Sequence, residues 1–131
     1  MAVIKVIGHK NPDTDTTCSA IFYAWHLKSN KNIEALPFVL GEPNKETKFV
    51  LERFGVETPA LLEKFEEGDS FVVVDTNNAE ELPDNLEVAE LTEIIDHHKL
   101  TGTLSTDSPI PVTIKPLACT AIIIWESMRN E

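Results

Sequence analysis

Basic residues are scarce in this sequence: 11 Lys and Arg stand against 22 Asp and Glu, for a formal net charge of −11. That balance works against non-specific binding to nucleic acid or to an anionic membrane surface. Long apolar runs are also missing. No stretch approaches the roughly 20 apolar residues of a membrane span. The apolar start, Val3–Ile7, is only a strand long and lacks the basic flank and cleavage site of a secretory signal. Cysteine is nearly absent: Cys18 and Cys119 lie far apart, and there is no C-x-x-C pair. A thiolate zinc site is therefore disfavoured, and two reduced thiols in a cytoplasmic protein are the simplest reading. No internal repeat, low-complexity tract or flexible linker divides the chain.

What is present suits one globular domain. The 131 residues are 42% hydrophobic, enough for a real core. The organising stretch is Gly8-His9-Lys10-Asn11-Pro12-Asp13-Thr14-Asp15. It follows a buried-strand pattern and precedes a helical one, and Pro12 keeps it a loop. His9, Asp13 and Asp15 can thus aim at one point. Asp15 lies where a helix N-cap would lie.

Two later segments repeat the design. Ser70–Val74 reads as a strand buried on both faces and ends on Asp75. Thr92–Ile95 runs straight into Asp96-His97-His98-Lys99. Elsewhere in the chain the pattern predicts strands over 33–40, interrupted by Pro37, and over 111–115. It predicts helices over 15–28, 44–54, 58–65 and 118–128. Trp25, Phe49, Phe54, Ile122 and Trp125 are expected to face inward, and His26 to be a surface or packing residue. The alternation implies an α/β fold of three layers, a mostly parallel sheet with helices on both faces.

In such a sheet the carboxyl ends of the strands open on one edge. His9, Asp13, Asp15, Asp75, Asp96, His97 and His98 can then share a crevice. Crowded aspartates repel one another unless positive charge sits among them, and divalent metal fits that need. Carboxylates with a few imidazoles and no thiolate suit Mn²⁺, with Mg²⁺ or Co²⁺ as alternatives. Asp75 is the natural bridge between two ions, and Asp96 can sit behind the ligands and orient a ring nitrogen.

These three motifs, with the Pro116-Leu117-Ala118-Cys119-Thr120-Ala121 turn, resemble the DHH phosphoesterase superfamily. More narrowly, they resemble the family II, manganese-dependent inorganic pyrophosphatases. The resemblance implies one Mn²⁺ on His9, Asp13 and Asp75, and a second on Asp15, Asp75 and His97. It implies that His98, with Lys99 beside it, contacts substrate phosphate. The implied reaction is in-line attack of a hydroxide held between the metals on inorganic pyrophosphate. It also suggests a homodimer. The middle motif departs from the common Asp-His-Asn-Glu and reads Asp75-Thr76-Asn77-Asn78. The family's second, substrate-clamping domain has no counterpart in residues 1–131, so a single metal-binding domain, poorly active alone, is expected. Alternatives are a DHH phosphoesterase acting on nucleotides or oligonucleotides, and a non-catalytic metal-binding module.

Overall fold

The structure, a computed structural model, describes residues 3–130. Six strands form one sheet: β1 (Ile4–Ile7), β2 (Ala35–Val39), β3 (Ala60–Leu61), β4 (Ser70–Val74), β5 (Glu90–Asp96) and β6 (Val112–Ile114). Their spatial order is β3-β2-β1-β4-β5-β6, and every neighbouring pair is parallel. Three α-helices accompany them: α1 (Thr14–Lys31), α2 (Lys45–Arg53) and α3 (Thr120–Arg129). The chain steps outward from β1 to β3, then returns to place β4 on the other side of β1. Strand order therefore reverses between β1 and β4, and the carboxyl edge of that junction is where open α/β sheets hold ligands.

Alternation along the strands sorts the core into two layers. Val6, Val72, Val74 and Ile95 pack against Ala20, Tyr23, Ala24 and Leu27 of α1 and against Ile123 and Ile124 of α3. Ile7, Phe71, Val73 and Ile94 pack on the opposite side, beneath Leu62, Phe65 and Leu82. The third layer is thus present, but its helical parts are two short 3-10 turns, Ala79–Glu81 and Leu86–Val88. Leu91 and Ile94 share this second face although they are an odd number of residues apart. A bulge explains it: Leu91 pairs with Phe71 and Glu93 with Val72, leaving Thr92 extra. The Thr92 hydroxyl donates to the Phe71 carbonyl at 3.1 Å.

Several sequence expectations are corrected. Phe49 and Phe54 are 62% and 73% exposed. The buried stripe of α2 is Thr47 and Leu51, four residues apart; Phe49 falls off that stripe and Phe54 is the C-cap. Trp25, Ile122 and Trp125 are also exposed, because Ala20, Ala24, Leu27, Thr120, Ile123 and Ile124 form the inward stripes. Trp25 stacks on Phe22, and the Arg129 guanidinium lies over Trp125.

No helix forms over 58–65. Ala60–Leu61 pairs with Phe38 and Val39 instead, so the backbone there is extended into the sheet. That pairing starts past Pro37, which therefore has a strand neighbour on one side only. The N-cap of α1 is Asp13, not Asp15: its carboxylate accepts the Thr16 N–H at 2.8 Å. His26 is buried, with Asn30 at 2.9 Å from its Nδ1.

Candidate metal centre

β1, β4 and β5 are neighbours, so the segments leaving their carboxyl ends share one rim. The loop after β1 begins at Gly8, where only hydrogen fits. A Cβ there would lie 2.2 Å from Thr16 Cγ2, so strand and helix meet at near contact. The helix dictates where Asp13 and Asp15 go. Asp13 caps α1 with Oδ1 and turns Oδ2 towards His9 Nε2, 3.7 Å away. Asp15 lies in the first turn and reaches the start of α3. Its Oδ2 accepts the Thr120 N–H at 2.9 Å, and its Oδ1 accepts Ala121 N–H and the Ser19 hydroxyl.

Asp75 sits at the centre. It is 1% exposed, and its φ of 65° is an uncommon left-handed value for a non-glycine residue. Its N–H stays in the sheet, donating to Ile95 O at 2.9 Å. The two carboxylate oxygens face different imidazoles. His9 Nε2 is 3.3 Å from Oδ2, and His97 Nε2 is 3.2 Å from Oδ1. His97 Nε2 also lies 3.6 Å from Asp15 Oδ2.

The far nitrogens of both rings are tied to backbone. His9 Nδ1 donates to Lys10 O at 2.7 Å, and His97 Nδ1 donates to Leu117 O at 3.0 Å. A carbonyl only accepts, so Nδ1 carries the hydrogen in each ring. In the neutral tautomer the Nε2 lone pair would then face carboxylate lone pairs. A proton or a metal cation between them removes that repulsion. Metal-ligating histidines show this same arrangement, with the outer N–H given to a carbonyl.

Charge follows the same logic. His9 is pushed up to about 9, chiefly by its hydrogen bond to Asp75, against the opposing effect of burial. Burial pushes Asp75 upward, but hydrogen bonds from His9, Asp15 and Thr16 outweigh it and hold Asp75 near 2. Asp15 is raised, first by burial and then by its contact with Asp75.

Asp96 is fully buried behind this group. Its Oδ1 accepts the His97 N–H and His98 Nδ1–H, both at 2.7 Å, and its Oδ2 accepts Asn77 Nδ2–H at 2.6 Å. The His98 side chain is half exposed, and its ring lies tilted at 48° against His97, with centroids 4.1 Å apart. Burial pulls its pKa down, but the hydrogen bond to Asp96 and the nearby carboxylates carry it above the usual value. Lys99 is exposed, and its carbonyl accepts from Asn77 at 3.0 Å. Lys10 turns to Asp84, 3.5 Å away.

Two triplets bring ligand atoms within 4.8 Å of one another: His9, Asp13 and Asp75; and Asp75, His97 and His98. Asp15 reaches the second group through its 3.6 Å approach to His97. Three residues to which the motifs assigned no role also belong to the site: Thr16, Thr120 and Asn77. A cavity of about 730 Å³ lies elsewhere, lined by Phe71, Leu91, Leu104, Thr106 and Ile110, and none of these acids or imidazoles lines it.

The sequence pattern of the DHH family, N-terminal domain, matches residues 3–131. The chain belongs to the DHH family. Among curated relatives of this DHH chain, the "Probable manganese-dependent inorganic pyrophosphatase" of Oceanobacillus iheyensis is 43% identical over 124 residues. That match covers 95% of this chain and 40% of the relative. A protein of the same name from Archaeoglobus fulgidus is 41% identical, over 93% of this chain and 41% of its own length. Among solved structures, a "putative family II inorganic pyrophosphatase" of Methanococcus jannaschii superposes with a TM-score of 0.85 at 41% identity. It covers 97% of this chain and 39% of its own. An exopolyphosphatase-related protein from Bacteroides fragilis, at 15% identity and a TM-score of 0.66, shares the fold. The DHH chain spans about two-fifths of the length of these relatives. Among the described residues, no helix is long and apolar enough to cross a membrane.

Proposed function

We propose that this chain is the metal-holding part of a manganese-dependent inorganic pyrophosphatase, binding two Mn²⁺ ions that share Asp75. The observation that carries the reading is the split environment of that one carboxylate. Oδ2 faces His9 with Asp13 beyond it, and Oδ1 faces His97 with Asp15 beyond it. His9, Asp13 and Asp75 would hold one ion, and Asp15, Asp75 and His97 the other. The donor set is carboxylate and imidazole without thiolate, which suits Mn²⁺ and tolerates Mg²⁺ or Co²⁺. A pair of divalent ions supplies Lewis acidity and an activated water for phosphoryl transfer.

The protein's own groups do the rest. Asp96 fixes the His98 ring through Nδ1, which leaves Nε2 for a phosphate oxygen, and Lys99 stands next to it as an exposed cation. His98 is held towards its protonated form by Asp96, so it can donate to the anionic substrate. The manganese-dependent pyrophosphatase names of the relatives support pyrophosphate as that substrate. The acidic net charge and the two free cysteines are in keeping with a cytoplasmic protein without a nucleic-acid partner. Pyrophosphate cleavage depends on positioning and charge neutralisation, and residues 1–131 bring few cations to the rim. The test is Mn²⁺ titration calorimetry beside a phosphate-release assay on this chain. Uptake of two ions with little turnover is expected. Failure to bind Mn²⁺, or turnover matching an efficient enzyme, would overturn the reading.

A further inference from the structure

Two threonines from different helices hold the acids of this site in the same way. Thr16, in the first turn of α1, gives its N–H to Asp13 Oδ1 at 2.8 Å and its hydroxyl to Asp75 Oδ2 at 2.6 Å. Thr120, the first residue of α3, gives its N–H to Asp15 Oδ2 at 2.9 Å and its hydroxyl to Asp75 Oδ1 at 3.1 Å. Each threonine thus ties one outer acid to one oxygen of the shared acid. Both are buried, at 1% and 0% exposure.

We propose that Thr16 and Thr120 are paired positioning residues, each setting the geometry of one half of the two-ion site. The proposal rests on the reading of Asp75 as the shared ligand. A carboxylate held by one donor can swivel about its Cβ–Cγ bond. Donors on both oxygens, arriving from two separate helices, fix its plane. Each hydroxyl occupies one lone-pair direction of its oxygen and leaves the other for the imidazole side of the crevice. The strand cannot set this orientation by itself, because Asp75 has already left the extended backbone region. Nor is either hydroxyl free to wander: the Thr16 side chain fills the space where a Gly8 Cβ would stand, and the backbone of Thr120 is held by Asp15.

This arrangement makes a selective prediction. General weakening of the fold would loosen both ions together, whereas a positioning role divides the effect. Mn²⁺ titration calorimetry on the full chain, with Mn²⁺ electron paramagnetic resonance to report spin coupling between the ions, separates the cases. Thr16→Val should weaken one binding step by about 10- to 100-fold, as lost partners of metal ligands do, and weaken the other step less. Thr120→Val should show the reverse ordering. Thr16→Ser and Thr120→Ser keep the hydroxyl and should restore both steps. If a valine variant does not fold by circular dichroism, the matching alanine variant carries the same expectation. Wild-type binding that persists in both hydroxyl-free variants would overturn this inference alone. So would equal losses in the serine and valine variants, or equal weakening of both steps by either change. Absence of Mn²⁺ binding by the unaltered chain would overturn the proposed function and this inference with it.

Discussion

Asn77 and Asp96 form a buried amide–carboxylate pair, with Nδ2 donating to Oδ2 at 2.6 Å. The same Asn77 accepts the Thr101 N–H through Oδ1 at 2.9 Å and donates to Lys99 O. One neutral side chain therefore joins the end of β4 to the loop after β5. Asn77→Ala should destabilise the protein by about 1–3 kcal/mol, because it strips a donor from a fully buried carboxylate. Asn77→Asp should cost more, since it sets two buried carboxylates against each other. Urea denaturation of both variants measures the effect.

Asp75→Asn should abolish both Mn²⁺ binding steps, whereas His97→Ala should remove only the step that depends on Oδ1. The amide keeps the shape of the carboxylate; its oxygen still accepts from one threonine and its NH2 can donate to the hydroxyl oxygen of the other, so the fold should survive. Calorimetry gives the number of ions lost in each variant. Retention of one full-strength step in Asp75→Asn would contradict a shared ligand.

Acid and base act on different members of the metal-free site. His9 titrates near 9 in the folded chain against 6.5 when unfolded. Its contribution to stability is therefore complete below pH 6.5 and is lost as pH rises through about 9. Asp75 titrates near 2 against 3.8, so its contribution is complete above pH 3.8 and is lost as pH falls towards 2. Metal-free stability should accordingly be highest between these limits. Mn²⁺ must displace the proton of His9, so binding should release protons and strengthen as pH rises towards 9. Thermal melts across pH, and calorimetry in buffers of different ionisation enthalpy, test both statements.

Gly8→Ala forces Thr16 aside, because the added Cβ would stand 2.2 Å from Thr16 Cγ2. A stability loss of about 1–3 kcal/mol is expected, as for other overpacked core sites. Mn²⁺ affinity should fall with it, since the displaced side chain carries the hydroxyl that holds Asp75. Denaturation and calorimetry on one variant read both effects.

The fold and most of the rim were legible because periodicity and strand-end chemistry are local signals. Val72–Val74 could only be a strand buried on both sides, and His9, Asp75 and His97 each follow such a run. The aromatic residues misled, because Phe49 and Trp125 are as apolar as core residues but lie off the narrow stripes that four-residue spacing creates. Thr16, Thr120 and Asn77 stayed hidden for a different reason. Their roles depend on partners 59, 45 and 19 positions away, and no local pattern marks a hydroxyl or an amide for a distant acid.

The start of α3 has a consequence for the lifetime of any bound cation. It holds Asp15 through two N–H groups and Asp75 through a hydroxyl, and its outer side carries exposed Ile122 and Trp125. Opening of the α3 start would remove both backbone donors of Asp15 and one of the two hydroxyl donors of Asp75 while the sheet remained intact. Ion release and amide exchange at Thr120 and Ala121 should therefore share a single opening event, and saturating cation should slow that exchange in proportion to its occupancy.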